Sequence, residues 1–139
     1  MRRTLLTSGS VVAMLLVALA GVAAAADVSV LLNGSQEVPA VTTSAAGNAR
    51  ITVGDDMAGS GSVTTTGVDG TAAHIHMAAL GKNGPVIIPL TKSGDSGWTV
   101  PAGAKLTEAQ YAAFKAGDLY LNVHSAANKG GEVRGQITP

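Results

Sequence analysis

Short runs in which apolar residues recur at every second position dominate this chain and set what it can fold into. "VSVLL" (28–32) is β-branched and apolar, and "GNARITVG" (47–54) alternates with Ala49, Ile51 and Val53 on one face. "GSVTTTGV", "AAHIHMA", "PVIIPL", "DLYLNVH" and "GEVRGQI" follow, separated by turns rich in Gly, Asp, Asn and Ser. Strands this short, at regular spacing, predict an all-β sandwich or barrel. A parallel α/β fold is disfavoured because almost no helical periodicity exists to supply crossovers. "DDMAG" (55–59) reads as a hairpin connection between the second and third strands. "SAANKG" (125–130) reads as the link between the last two. "KSGDSGWTVPAGAK" (92–105) reads as the longest loop.

One helix is expected, in "LTEAQYAAFKAG". Thr107 is a good N-cap, with Gln110 three residues later at the capping-box spacing. Leu106 and Tyr111 are spaced as a hydrophobic staple, and Gly117 is the expected stop. Tyr111 and Phe114 would face the sheet, and the helix would close one end of a barrel.

The N-terminal residues read as a leader. "MRRTLLTSGSVVAMLLVALAGVAAAA" carries Arg2 and Arg3, then an apolar stretch, then small residues ending at Ala26. This is the layout of a secretory signal peptide, residues 1–26, cut after Ala26. The apolar stretch is short for a membrane span of about 20 residues. Residues 27–139 would then be one exported domain, periplasmic or extracellular, with no span left after cleavage. Nine Lys and Arg, less Arg2 and Arg3, leave seven against nine acidic residues. No basic run exists, so neither nucleic acid nor an anionic membrane is expected as a partner. The chain has no cysteine, so its core must hold without disulfides.

Alternation also sorts the polar residues. His74 and His76 share one face of their strand, and Ala73, Ile75 and Met77 the other. Tyr120, Asn122 and His124 oppose Leu119, Leu121 and Val123, while Glu132, Arg134 and Gln136 oppose Val133, Gly135 and Ile137. All three histidines of the chain therefore lie on polar strand faces. If the last two strands pair, His124 comes near Glu132 or Arg134. If the "HIH" strand joins them, the three imidazoles converge into a site suited to copper or zinc. A nearby Glu could be a further ligand or orient a ring. The competing reading is a metal-free hydrogen-bond network of His, Glu, Arg and Asn. Met77 is a candidate soft ligand for reduced copper, but alternation favours core packing for it. Arg134 is expected to bridge Glu132 or Glu37 and lock the strands.

Four stretches give the chain a family likeness: "LNGSQEVPAVTTSAAGNA", "AAHIHMAALGKNGPVIIPL", "LTEAQYAAFKAGDLYLNVHS" and "GGEVRGQI". Together they resemble the CHRD (chordin-type) domain over nearly all of residues 31–137. The chain departs from the family pattern at Met77-Ala78-Ala79 after the histidine pair and at Asn128-Lys129 in the last loop; neither removes a candidate ligand. The resemblance implies an immunoglobulin-like or Greek-key β-barrel. It also implies that Glu37, His74, His76, His124, Glu132 and Arg134 are the shared polar residues. The "HIH" strand further looks like the copper-ligand strand of copper–zinc superoxide dismutases. Those enzymes use more histidines than this chain has, and a disulfide it cannot form, which excludes a binuclear site of that type and leaves a mononuclear copper enzyme of superoxide dismutase type as the remaining enzymatic reading.

Function is thus expected to be non-enzymatic metal binding, with copper foremost and zinc second, at His74, His76 and His124. Glu37, Glu132, Arg134 and Met77 are candidates for further ligands or supporting contacts. The alternative is an extracytoplasmic interaction module that meets a protein partner through its loops. No hydrolytic motif, such as G-x-S-x-G, is present.

Overall fold

The computed structural model describes residues 25–139. The leader expected over residues 1–26 lies almost wholly outside them. Among the described residues, nine antiparallel strands form one sheet: β1 (Ala26–Asn33), β2 (Ala46–Val53), β3 (Gly59–Thr66), β4 (Gly70–Met77), β5 (Val86–Pro89), β6 (Thr91–Ser93), β7 (Gly97–Thr99), β8 (Leu119–Ser125) and β9 (Val133–Ile137). Their order is β5-β4-β8-β9-β1-β2-β3-β7-β6. The two ends of that order are neighbours in the chain. β5 pairs with β4 and β6 pairs with β7, with Leu90 alone between them. One extended segment thus bridges both edges and nearly closes the sheet into a barrel, which leaves little open edge.

The interior follows the alternation. Val28, Val30 and Leu32 from β1, Ile51 and Val53 from β2, Ala73 and Ile75 from β4, and Leu121, Val123, Val133 and Ile137 from β8 and β9 are all buried. Helix α1 (Glu108–Ala116) covers part of this core through Phe114, which is 1% exposed. Its capping box forms as its sequence requires: Gln110 N donates to Thr107 Oγ1 at 3.2 Å, and Thr107 N donates to Gln110 Oε1 at 3.0 Å. Gly117 ends it at φ 79°. Tyr111 packs against the same core, half-buried.

Residues 92–105, expected as a loop, instead contain the β6–β7 hairpin and deliver Trp98 to the core at 4% exposure. Three-residue strands carry no readable alternation, and pairing with β6 on one side and β3 on the other makes β7 a strand. The "DDMAG" hairpin does join β2 to β3. Its left-handed residue is Met57, at φ 69°.

The centre of the polar face of β4, β8 and β9 is closed to solvent, while His74, His124 and Gln136 are half-buried. Tyr120 and Asn122 are each 2% exposed and Arg134 1%. The segments 34–44 and 78–85 fold over it. Asn83 Nδ2 donates to Val38 O at 2.8 Å and joins the two covers. Gly34 permits the first of them, since a Cβ there would strike Val41 O.

Candidate metal centre

Antiparallel register lays the polar face out in rows. His74 stands opposite Asn122, which stands opposite Arg134; His76 stands opposite Tyr120, which stands opposite Gln136. His124 is the next residue of β8 on this face. The three imidazoles converge: one donor atom from each of His74, His76 and His124 lies within 4.8 Å of the others. Ring centroids are 5.5 Å apart for His74 and His76, 4.8 Å for His74 and His124, and 6.1 Å for His76 and His124. A tetrahedral ion with M–N bonds near 2.0–2.1 Å needs donors about 3.3 Å apart, so modest ring movement closes the set.

Backbone carbonyls set which nitrogen each ring offers. His76 Nδ1 lies 3.0 Å from Gly84 O, and His124 Nδ1 lies 2.8 Å from Lys129 O. A carbonyl only accepts, so both Nδ1 atoms carry the proton and both Nε2 atoms present a lone pair. Among the described residues, His76 Nε2 is buried without a hydrogen-bond partner, and so is Asn122 Oδ1. His124 Nε2 lies 3.0 Å from His74 Nδ1 and accepts its proton. Burial foremost, and then the neighbouring imidazoles, pull the pKa of His74 below its usual value. Burial likewise lowers that of His76, against the opposing pull of Gly84 O and Asn122; the charges of His124 and Arg134 add to the lowering. These two rings are held neutral, the form that binds a metal.

The loop that supplies Gly84 is itself anchored. Arg134 donates to Asn83 Oδ1 at 3.0 Å and to Lys82 O. Its guanidinium sits 3.4 Å over the Tyr120 ring, and that ring stacks on His76 with centroids 4.6 Å apart. Gly84 N donates to Tyr120 Oη at 3.2 Å. Arg134 and Tyr120 thereby hold both the plane and the hydrogen-bond partner of His76.

The other candidates fall elsewhere. Arg134 makes no ion pair with Glu132 or Glu37, contrary to the expected bridge; the salt bridge among the described residues is Arg50–Asp27, far from the face. The bridge fails because the 78–85 loop reaches the guanidinium first with two acceptors. Glu132 does not meet the histidines. It accepts from Ser125 Oγ at 2.7 Å, Thr43 Oγ1 at 2.9 Å and Asn128 Nδ2 at 3.2 Å, and these bonds, led by Ser125, lower its pKa. Met77 packs against the core on the opposite side of β4. Glu37 is buried beside Asn122, whose Nδ2 lies 3.4 Å from its Oε1, and burial raises its pKa to about 7. Asn122 was readable as a member of the face. Its place between the histidines and Glu37 was not, because that depends on the 34–44 segment folding over β8.

A family model, the CHRD domain, matches residues 28–137. Neither a curated protein nor a solved structure matches the chain. With its family motif spanning all nine strands, the chain belongs to the CHRD domain family.

Proposed function

We propose that this CHRD-domain protein is exported and binds a metal ion, copper foremost, at His74, His76 and His124, for storage, delivery or sequestration rather than catalysis. The observation that carries the reading is the orphaned, buried Nε2 of His76, whose Nδ1 proton is committed to Gly84 O. A buried acceptor without a partner costs about 1–3 kcal/mol, and a metal ion satisfies it together with the neighbouring lone pair of His124. Imidazole donors at this spacing suit copper over other divalent ions by the Irving–Williams order, with zinc next. The leader-like residues 1–26 support export.

The test is titration of untagged, chelator-stripped residues 27–139 with copper(II), copper(I) and zinc, beside His76→Ala. The expected result is about one tightly bound ion per chain, with nitrogen couplings in the copper(II) resonance spectrum, lost in the variant. Weak, non-stoichiometric binding that the variant leaves unchanged would sink the reading. That outcome would favour a structural network meeting a protein partner, a second reading supported by the direct His74–His124 hydrogen bond.

A further inference from the structure

Glu37 is a carboxyl group built into the fold without a cation to pair with. It is 6% exposed, and its Oε1 receives a long hydrogen bond from Asn122 Nδ2, while Oε2 has no hydrogen-bond partner among the described residues. The cation that acts on it is Arg134, whose guanidinium is already committed to Lys82 O, Asn83 Oδ1 and the Tyr120 ring. Gly131 is shaped to receive the carboxyl. It adopts φ +124°, and a Cβ there would collide with Glu37 Oε1 and Asn122 Nδ2. The fold thus spends a glycine on holding an unpaired acid in place.

The acid lines a half-open cavity of about 190 Å³, walled by Val38, Pro39 and Val41 on one side and by Asn128, Gly130 and Gly131 on the other. Asn128 offers no competing charge, and its Nδ2 is already given to Glu132. A cavity of about 150 Å³ accommodates benzene, so this one holds a body of roughly six heavy atoms. An apolar wall facing a buried carboxyl selects a small group with an aliphatic body and a cationic, hydrogen-donating head.

We infer that this cavity is a binding site for an alkylammonium group, with Glu37 Oε2 taking the charged head and Val38, Pro39 and Val41 enclosing the aliphatic body. The site is independent of the three-histidine reading and needs no metal. Burial already disfavours the lone carboxylate, as its raised pKa reflects, and an ammonium head relieves that cost. A free small amine and a lysine side chain from another polypeptide share this head.

The experiment is a nitrogen-15 correlation titration of the protein at neutral pH with four probes: isoamylammonium, isoamyl alcohol, isovalerate, and Nα-acetyl-lysine methylamide. The expected result is saturable shifts of residues 37–41 and 128–131 with isoamylammonium, at least about tenfold tighter than with the alcohol, and none with isovalerate. Glu37→Gln should weaken ammonium binding about tenfold or more. Val41→Phe should abolish it by filling the cavity while leaving the acid intact, and adding a metal chelator should leave it unchanged. Comparable binding of the acetyl-lysine probe would identify a protein lysine as the source, and its exclusion a free amine. Equal binding of alcohol and ammonium, indifference to Glu37→Gln, or no saturable shift up to about 10 mM in a folded protein would overturn the inference.

Discussion

His74 Nδ1 lies 3.0 Å from His124 Nε2, so one proton joins the two rings at the position where an incoming ion would draw its lone pairs. Loading a metal therefore requires His74 to give up that proton or turn its ring. Replacing His124 with Ala should weaken copper(II) binding by about 100-fold or more, while His124→Gln should retain the fold with a similar loss. Competition titration against a chelator of known affinity checks this. An unchanged affinity in both variants would remove His124 from the ligand set.

Arg134 should matter to the fold before it matters to the metal. It is 1% exposed, holds the 82–84 loop by two hydrogen bonds and stacks on Tyr120. Arg134→Ala frees the 82–84 loop and empties the space that the buried guanidinium fills over Tyr120, and should destabilise by about 3 kcal/mol. Thermal melts with and without metal report it. An unaltered melting temperature would count against this assignment.

The pH dependence of stability should show two opposed contributions. His74 and His76 titrate below the ordinary value of 6.5 in the folded state, so the unfolded chain binds more protons near that pH, and stability falls as pH drops through that window. Glu37 titrates near 7 when folded against 4.5 when unfolded, so here the folded chain binds more protons, and stability falls as pH rises from about 4.5 to 7. Glu37→Gln removes the second contribution. Its melting temperature relative to the parent should climb between pH 4.5 and 7 and level off above. A difference that stays flat across that range would contradict the burial of an ionisable Glu37.

Trp98 anchors the hairpin that helps close the barrel. It is 4% exposed, and the Lys92 ammonium lies 5.1 Å from its ring centroid. Trp98→Ala should cost about 3–5 kcal/mol. Denaturant unfolding followed by far-ultraviolet circular dichroism measures it, and a loss below about 1 kcal/mol would mean the hairpin packs without it.

Gly131 should tolerate no side chain. Gly131→Ala would place a Cβ on Glu37 and Asn122 at a φ that L residues rarely adopt, and should cost about 2 kcal/mol or more. A variant as stable as the parent would show that the carboxyl is free to move aside.

The strand alternation, the capping box around α1 and the shared face of His74 and His76 could all be read before folding, because each depends on residues within a few positions of one another, whereas bringing His124 to them required the β4–β8 pairing. Pairing of β8 with β9 followed from the short link between them. Tertiary structure alone decided what that polar face became. Segments 34–44 and 78–85 are far from β8 in sequence, yet they bury Asn122, Tyr120 and Arg134, turn Arg134 away from the acids and aim Gly84 O at His76. The β6–β7 hairpin likewise exists because β3 offers it an edge. Local periodicity specifies which way a side chain points. Whether it meets water, a carbonyl or another ring is settled by long-range closure of the chain, in which each buried polar group must find its partner.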